Sequence, residues 1–231
     1  MNGSDTPGPV VGLEKVTKIF NGSGHPTAAV REVSLEARRG EMVLLLGPSG
    51  SGKTTLLTLV AGLTRPTSGS ISLFGRSVEA YSAAELQALR AARIGFVFQT
   101  FLLIDSLTAA ENIEIVLRFN GKRRADRAAK TRALLEELGI GYLAGRFPRS
   151  MSQGEKQRVA IARAVANDAE LLIADEPTGS LETRQAVDII TLLHGQARTR
   201  NATVIVASHD LRLKEFADRT LRLHDGMLAP G

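Results

Sequence analysis

The stretch Met42-Val43-Leu44-Leu45-Leu46-Gly47-Pro48-Ser49-Gly50-Ser51-Gly52-Lys53-Thr54-Thr55 decides the fold. Its first five residues are all apolar, which is typical of a strand that is covered on both faces. The next eight residues match the pattern G-x-x-x-x-G-K-[ST], and an apolar helix follows that we expect to end near Gly62. Strand, glycine-rich turn and helix in this order predict a loop whose backbone N–H groups bind phosphate at a helix N-terminus.

Two side chains of this loop add charge and metal chemistry. The pattern places the ammonium group of Lys53 against the β- and γ-phosphates of a nucleoside triphosphate. The hydroxyl of Thr54 is the group that ligates Mg²⁺ in such loops. We therefore predict a site for a nucleotide and Mg²⁺ over residues 47–55.

A pair of carboxylates follows a second apolar strand, predicted at residues 171–174. Asp175 and Glu176 end this strand, and Pro177 prevents its extension because proline lacks a backbone N–H group. Adjacent carboxylates at a buried strand end are unfavourable unless a metal or a proton-sharing partner compensates. We predict that Asp175 holds Mg²⁺ through water, and that Glu176 orients or deprotonates the water that attacks the γ-phosphate.

Two other polar residues follow predicted strands. His209 comes after a strand at residues 203–208, and we expect it to contact the γ-phosphate and hold the attacking water in line. Gln99 follows a strand at residues 94–98, and its amide can contact Mg²⁺ or water, although taken singly such a residue is more often structural. Isolated histidines are usually structural as well, and that role is assigned to His25, His194 and His224.

The remaining pattern predicts an α/β fold. Residues 33–37 and 70–73 alternate apolar with polar side chains, as antiparallel strands do. The apolar strands alternate with helices, which predicts a parallel sheet with helices on both sides. In the helix between the last two of these strands, one apolar face is predicted to consist of Val187, Ile190, Leu193 and Ala197.

Residues 100–166 contain no strand pattern. They predict an inserted helical subdomain with helices at about 108–118, 123–138 and 153–167. We interpret residues 10–231 as a single domain, and residues 1–9 as a flexible tail because they are rich in Gly and Pro.

The amino-acid composition excludes several classes of protein. The chain has 231 residues, of which 43% are hydrophobic and 23% charged, as in a globular protein rather than a disordered one. The absence of cysteine excludes disulfides, cysteine-ligated metal centres and a cysteine nucleophile. No stretch approaches the roughly 18 apolar residues that a membrane-spanning helix needs, and the N-terminus lacks a secretory signal pattern. We expect a soluble protein in the cytoplasm.

The net charge of +5 is concentrated in one segment. Residues 122–132 contain six Lys or Arg residues and one acidic residue. Such a run is most often a solvated helix face, and the alternative is contact with acidic lipid or with a partner protein.

One further segment resembles the signature of a known family. Residues 151–164 read MSQGEKQRVAIARA, which is similar to the LSGGQ signature and the QRVAIARA that follows it in ATP-binding-cassette (ABC) ATPases. The order of the phosphate loop, Gln99, the signature, Asp175-Glu176, Thr178-Gly179-Ser180-Leu181-Glu182 and His209 is that family's order. The resemblance covers about residues 10–228.

This resemblance implies the ABC ATPase fold: a phosphate-loop NTPase core with a parallel sheet, an N-terminal antiparallel β subdomain and an inserted helical subdomain. It implies ATP with Mg²⁺ as the ligand, Phe20 as an aromatic that stacks on adenine, and Ser152 and Gly154 as residues that contact ATP bound to a second copy. Two copies are expected to close head to tail around two ATP molecules and to reopen after hydrolysis. Phe20 also has a purely structural interpretation, as a core residue at a strand end.

Residues 98–103 and 107–112 are similar to a bacterial branch that includes macrolide exporters, lipoprotein-release machines and glycolipid exporters. This implies an ATPase that powers a membrane permease, with a periplasmic adaptor as a further partner, at the inner face of the plasma membrane. The alternative is a regulatory ATPase of the same fold that controls a cell-division or cell-wall complex without transport. A DNA-associated ATPase is disfavoured because the sequence has no long coiled-coil insertion or zinc module, so no nucleic acid partner is expected.

Three positions depart from the family pattern. Gln153 replaces the first glycine of the signature, and we expect its side chain to hinder close approach to phosphate. Glu155 replaces the signature glutamine and would bring an unfavourable carboxylate near ATP. Glu182 stands where an aspartate is usual, and we expect it to alter the contact between subunits more than the chemistry.

Overall fold

The computed structural model describes residues 8–21, 26–179 and 181–229. Residues 1–7 of the predicted tail, His25 and Ser180 lie outside these ranges. The strands are β1 (Val11–Phe20), β2 (Thr27–Ala37), β3 (Met42–Leu46), β4 (Ser68–Leu73), β5 (Arg76–Ser77), β6 (Ile94–Val97), β7 (Leu171–Asp175), β8 (Thr203–Ser208), β9 (Arg219–His224) and β10 (Met227–Leu228). The α-helices are α1 (Lys53–Val60), α2 (Ala83–Arg93), α3 (Ala109–Phe119), α4 (Arg124–Glu137), α5 (Gln153–Val165) and α6 (Thr183–Arg200).

The strands form two sheets. Near the N-terminus, β2, β1, β4 and β5 pair in that order as an antiparallel sheet. The second sheet has the order β10-β9-β3-β8-β7-β6, in which all neighbours are parallel except β10 and β9. Both the antiparallel part and the parallel sheet were predicted from the sequence.

The parallel sheet separates two hydrophobic cores, which explains its uninterrupted apolar strands. Along β3, Met42, Leu44 and Leu46 pack into one core, whereas Val43 and Leu45 pack into the other. Successive side chains of a strand point to opposite faces, so a strand with a core on each side needs apolar residues at every position. Polar residues therefore lie at the carboxyl-terminal edge of this sheet, directly after the apolar strands.

The predicted helical insertion is confirmed in position and content. Helices α3, α4 and α5 each begin within one residue of the predicted start, and no strand lies between β6 and β7 in this fully described segment. Asn112 anchors α3: its buried amide accepts from the N–H of Ile104 and donates to three carbonyl oxygens, including that of Ile104. No helix in the described ranges is long and apolar enough to cross a membrane.

The predicted apolar face of α6 is wrong at one residue. Ile190, Leu193 and Ala197 are buried, but Val187 is 40% exposed and Ala186 is buried in its place. At 100° per residue, Val187 lies roughly 110° around the helix from the centre of the buried face. The buried side of α6 therefore starts one residue earlier than the apolar pattern indicates.

Candidate functional site

The loop of residues 47–52 joins β3 to α1 and depends on glycine at a close approach to β2. Gly52 has φ +101° and directly precedes α1. A Cβ atom at this position would lie 2.1 Å from the carbonyl oxygen of Ala29, so no other residue fits without moving β2. The N-terminus of α1, where the first N–H groups have no partner within the helix, is thereby held next to the loop.

The side chain of Lys53 is buried and turns back onto this loop. Its Nζ donates hydrogen bonds to the carbonyl oxygens of Gly47 at 2.7 Å and Pro48 at 3.0 Å. It also lies 3.3 Å from Oε1 of Glu176. A buried ammonium group is unfavourable unless it is paired, and these three oxygens hold the cation beside the loop.

Asp175 lies at the end of β7 and contacts the first turn of α1, directly after the loop. Its Oδ2 accepts a hydrogen bond of 2.7 Å from the hydroxyl of Thr54, while its Oδ1 is buried without a partner among the described residues. Burial raises the pKa of Asp175, and the hydrogen bond from Thr54 acts against that shift. The sequence-predicted pair of a hydroxyl and a carboxylate is therefore in direct contact.

These residues fit a Mg²⁺ ion. Mg²⁺ is bound in nucleotide sites by one or two carboxylates together with hydroxyls, water and substrate phosphates. The unpartnered Oδ1 of Asp175, beside the Thr54 hydroxyl, supplies such an oxygen. In the described ranges no three His, Asp or Glu side chains cluster as a metal site of their own, so phosphate oxygens would have to complete the coordination.

Glu176 links the lysine to a histidine. Its Oε2 lies 3.0 Å from Nδ1 of His209, which follows β8. The backbone of Glu176 has φ +46°, in the left-handed region that costs a non-glycine residue about 1–2 kcal/mol. Its N–H donates to the carbonyl oxygen of Ala207 at 2.9 Å, which holds this conformation. Strain of this kind collects at functional sites.

One cavity of about 340 Å³ brings most of the predicted residues together. Its lining residues are Ala29, Ser49, Gly50, Gly52, Lys53, Thr54, Thr55, Gln99, Asp175, Glu176 and His209. The residues that follow β3, β6, β7 and β8 meet here because the carboxyl ends of parallel strands lie at one edge of the sheet. The arrangement presents a cation, a helix N-terminus, a candidate metal site and a carboxylate hydrogen-bonded to a histidine.

Comparison with known proteins assigns the chain to a family. The family model described as ABC transporter matches residues 30–179, a range that includes the loop, Gln99 and both carboxylates. The chain belongs to the ABC transporter family. This confirms the family inferred from the signature segment and the order of motifs.

Two relatives define the extent of this ABC cassette. The macrolide export ATP-binding/permease protein MacB of Rhodospirillum rubrum is 40% identical over 223 residues, which cover 96% of this chain and 34% of MacB. The uncharacterized ABC transporter ATP-binding protein YbbA of Escherichia coli K12 is 40% identical over 219 residues, which cover 95% of this chain and 96% of YbbA. The chain thus spans about a third of the length of its MacB relatives and nearly all of YbbA.

Solved structures confirm the predicted ABC ATPase fold. A dimeric structure of MJ0796, a bacterial ABC transporter cassette, matches with a TM-score of 0.89 and 35% identity, over 95% of this chain and 97% of MJ0796. A dimeric post-hydrolysis state of MJ0796 bound to ADP and phosphate matches equally well, with a TM-score of 0.89.

Three residues of the ABC cassette that were predicted to contact ATP do not line the cavity: Phe20, Ser152 and Gly154. Phe20 lies at the end of β1, is 47% exposed and has Nζ of Lys18 at 5.2 Å from its ring centroid. It pairs with Thr27 of β2, the strand that carries Ala29. Ser152 and Gly154 lie at the N-terminus of α5 and do not line the cavity. One copy alone does not bring these signature residues to the phosphate loop.

Glu155 has a structural role that the sequence interpretation did not anticipate. Ser152 caps α5 by accepting a hydrogen bond from the N–H of Glu155, and the Glu155 carboxylate accepts one from the N–H of Ser152 at 2.7 Å. The hydroxyl of Tyr142 donates to Glu155 at 2.9 Å. These bonds, the one from the Ser152 backbone above all, lower the pKa of Glu155. The carboxylate therefore fixes the signature serine.

The other two departures are exposed side chains. Gln153 is the first residue of α5, and Glu182 is the N-cap residue of α6 without a side-chain capping bond. Their predicted effects on phosphate approach and on the contact between subunits stay predictions.

Two residues near these sites were missed from the sequence. Ala29 lines the cavity and approaches Gly52, but a small apolar residue in a strand carries no chemical signal. Tyr142 supports the signature from a 3₁₀ turn that precedes it, and nothing in the spacing of Tyr142 and Glu155 predicts their contact.

Proposed function

We propose that this chain hydrolyses ATP as one of two copies that close head to tail around two Mg²⁺-ATP, and that this closure powers a membrane transporter. The observation that carries the proposal is the pair of contacts between Lys53 and Glu176 and between Thr54 and Asp175. They place a phosphate-binding cation next to a candidate base, and a candidate metal site next to both.

Binding of ATP is expected to change the partner of Lys53. In the structure its ammonium group lies 3.3 Å from Glu176. Phosphate oxygens carry more negative charge than one carboxylate, so Lys53 should turn toward the β- and γ-phosphates. This exchange releases the Glu176 carboxylate, which is then available to orient or deprotonate water.

His209 and Gln99 position the reacting groups. The contact of 3.0 Å between Nδ1 of His209 and Glu176 orients both side chains. We assign to His209 the γ-phosphate contact and to Gln99, on the cavity wall, the contact with metal or water. Glu176 is the base, and it takes a proton from the attacking water as the water oxygen bonds to the γ-phosphorus. The bond between that phosphorus and the bridging oxygen of the β-phosphate breaks in the same displacement, and ADP leaves with the bridging oxygen.

Thr54, Asp175 and Gln99 would hold Mg²⁺. When bound, the ion neutralises charge on the phosphates. The loop N–H groups of residues 47–55 and the N-terminus of α1 bind the same phosphates. Phe20 stacks on adenine, since its exposed ring lies on the strand pair that continues to Ala29.

The second copy supplies Ser152 and Gly154. In one copy these residues lie outside the cavity, and the serine is held in a fixed cap by Glu155. A head-to-tail pair places each signature on the ATP of the partner, and closure expels water, which strengthens the contacts to the γ-phosphate. Loss of that phosphate lets the pair reopen.

A groove of about 750 Å³ beside α2, β6 and α3 is the place we assign to the permease. Its wall is rich in alanine, with Ala84, Ala88, Ala91 and Ala92 on α2. Proteins named MacB combine ATP-binding and permease parts in one chain, and this chain matches about a third of that length. We therefore propose a separate or attached permease, a periplasmic adaptor beyond it, and a location at the inner face of the plasma membrane.

The substitution Glu176→Gln tests the assignment of the base. It keeps the shape of the side chain and removes its charge, so turnover should fall by about 10²–10⁴-fold while ATP binding is retained. The ATP-bound dimer should live longer, as measured by size exclusion with ATP. Glu36→Gln is the matched control, because Glu36 is exposed on β2 and its side chain has no partner in the described ranges. Full ATPase activity of the Glu176 variant would refute the assignment.

Isolation of the protein from membranes tests the transport role. A permease with a substrate channel as the bound partner supports it. Recovery of a cell-division or wall-hydrolase complex instead would contradict it and favour the regulatory alternative.

A further inference from the structure

The basic segment noted in the sequence, residues 122–132, begins at the corner between α3 and α4 and continues along α4. Among its cations, several are used within the fold. Arg123 pairs with Asp126 through two hydrogen bonds of 2.9 and 3.2 Å. Arg127 donates to the carbonyl oxygen of Lys122 at 2.8 Å, and Lys130 pairs with Asp168. Arg123 and Arg127 thus stabilise the corner itself, whereas Lys130 joins α4 to the turn after α5.

The other three cations of the segment, Lys122, Arg124 and Arg132, have exposed side chains with no ion pair or hydrogen bond to any described residue. The same is true of Arg118 in the last turn of α3. Phe119 follows Arg118 at the end of α3 and is 78% exposed, more than any other large apolar side chain in the described ranges. An exposed aromatic ring is unfavourable in water, and a ring close in sequence to unpaired cations suits an interface that is apolar below and anionic above.

Backbone hydrogen bonds hold this corner in one conformation. Gly121 has φ +70°. Its N–H donates to the carbonyl oxygen of Arg118, and the N–H of Lys122 donates to the carbonyl oxygen of Leu117. This pair of bonds is a Schellman motif, which ends α3 at a defined point. Arg118, Phe119 and Lys122 are therefore presented in a fixed arrangement.

The corner adjoins the groove that we assign to the permease. Phe119 and Asn120 line that groove. The side-chain amides of Asn120 and Asn167 each donate to the carbonyl oxygens of Ala91 on α2 and Val116 on α3. These bonds join the two helices that form the groove, so the corner keeps its place relative to a permease bound there.

We propose that this basic corner, made of Arg118, Phe119, Lys122, Arg124 and Arg132, binds the anionic lipid surface around the permease. The inference rests on the proposed function, because a groove occupied by a membrane protein brings its rim to the headgroups. Unpaired cations match the negative cytoplasmic leaflet, and the Phe119 ring enters the headgroup region. Arg124 and Arg132 are two turns apart on α4, about 12 Å along its axis, and extend the contact.

Vesicle cosedimentation of the full chain tests the proposal. The protein should bind phosphatidylcholine vesicles that contain phosphatidylglycerol, bind pure phosphatidylcholine vesicles far less, and be released by salt. A triple variant with Arg118→Gln, Lys122→Gln and Arg124→Gln should lose on the order of a hundredfold in affinity, at about fivefold for each cation near the surface. Phe119→Ser should weaken binding without changing its salt dependence.

A second triple variant serves as the control for net charge. Arg38→Gln, Arg65→Gln and Lys214→Gln remove three exposed cations that lie outside α3 and α4 and whose side chains have no partner among the described residues. This variant should bind anionic vesicles like the unaltered chain. Equal loss in both variants, equal binding to neutral vesicles, or binding to duplex DNA but not to vesicles would each overturn the proposal.

Solution assays separate this proposal from the proposed function. ATPase activity and ATP binding without vesicles should be the same in the basic-corner variant and in the unaltered chain. Loss of vesicle binding alone then supports the lipid contact, and normal vesicle binding by that variant refutes it while leaving the ATPase proposal intact. Absence of ATP binding in the unaltered chain would instead refute the proposed function.

Discussion

The hydrogen bond between Thr54 and Asp175 gives a prediction that needs neither nucleotide nor metal. The Thr54 hydroxyl is the only hydrogen-bond partner of the Asp175 carboxylate in the described residues, at 2.7 Å, and the other carboxylate oxygen is buried without one. Thr54→Val keeps the shape of the side chain and removes the donor. The carboxylate is then left without any hydrogen bond.

The expected cost follows from that burial. Asp175 is 6% exposed, and leaving a buried acceptor unsatisfied costs about 1–3 kcal/mol. For a chain of this size 1 kcal/mol corresponds to roughly 2–4 °C in Tm, so the variant should melt about 2–12 °C lower at neutral pH. Thr54→Ser keeps the hydroxyl and should melt close to the unaltered chain.

The stability penalty of Thr54→Val should depend on pH, in a direction set by the pKa shift of Asp175. Burial raises the pKa of Asp175 above its ordinary value of 3.8. A carboxyl group whose pKa is raised by folding lowers the free energy of unfolding once the pH exceeds its pKa in the unfolded state. This loss of stability is complete above its pKa in the folded state. The penalty of Thr54→Val should therefore be complete at neutral pH and shrink as the pH falls through the folded pKa.

The assay is thermal unfolding of the protein without nucleotide or Mg²⁺, across pH and in a double-mutant cycle with Asp175→Asn. Because the amide introduced by Asp175→Asn carries no charge, Thr54→Val should cost much less in that background. Equal Tm values for the Val and Ser variants at neutral pH would refute the reasoning. So would a penalty that is unchanged when Asp175 is replaced.

Two further predictions concern the loop and the signature. Gly52→Ala should sharply lower both the Tm and ATP binding, because its Cβ would lie 2.1 Å from the Ala29 carbonyl oxygen. Gly50 has φ +80° but no atom within 4 Å of a Cβ placed there, so Gly50→Ala should cost only the backbone strain of about 1–2 kcal/mol. Equal Tm values in the two variants would contradict this. The pKa of Glu155 is lowered from 4.5, chiefly by the Ser152 backbone N–H, so its charge adds stability above that value and loses it as the pH falls through the folded pKa. Glu155→Gln should thus have a lower Tm than the unaltered chain at neutral pH and the same Tm in acid. A Tm difference that persists in acid would disprove the charge effect.

The capping role of Glu155 changes how the altered signature is interpreted. A carboxylate near ATP was expected to be unfavourable, yet its oxygens accept hydrogen bonds from Ser152 and Tyr142. Bonds of this kind spread its charge over two donors and keep the serine in one conformation. Among the departures in the signature, the expected disturbance at the phosphate therefore rests on Gln153 more than on Glu155.

The sequence alone determined the elements that local patterns encode. The apolar run of β3, the glycine loop and the polar residues after β7 and β8 are each read within a few neighbouring positions, and the rule for parallel sheets brings them to one edge. The irregular strand β1 was not predicted, because the charged residues Glu14, Lys15 and Lys18 break its alternation. In the structure its pairing with β2 is correspondingly irregular, with register shifts between residues 13 and 19. Helix α2 was also missed, although Ser82 and Glu85 form a capping box that marks its start.

Only the tertiary structure decided which partners these residues find. Thr54 and Asp175 are 121 positions apart, and their contact depends on β8 lying between β3 and β7. The approach of Ala29 to Gly52, the resting contact of Lys53 with Glu176 and the exposure of Val187 depend in the same way on neighbouring elements. Periodicity states which side of its own helix or strand a residue occupies, but the atoms that face that side come from segments far away in the chain.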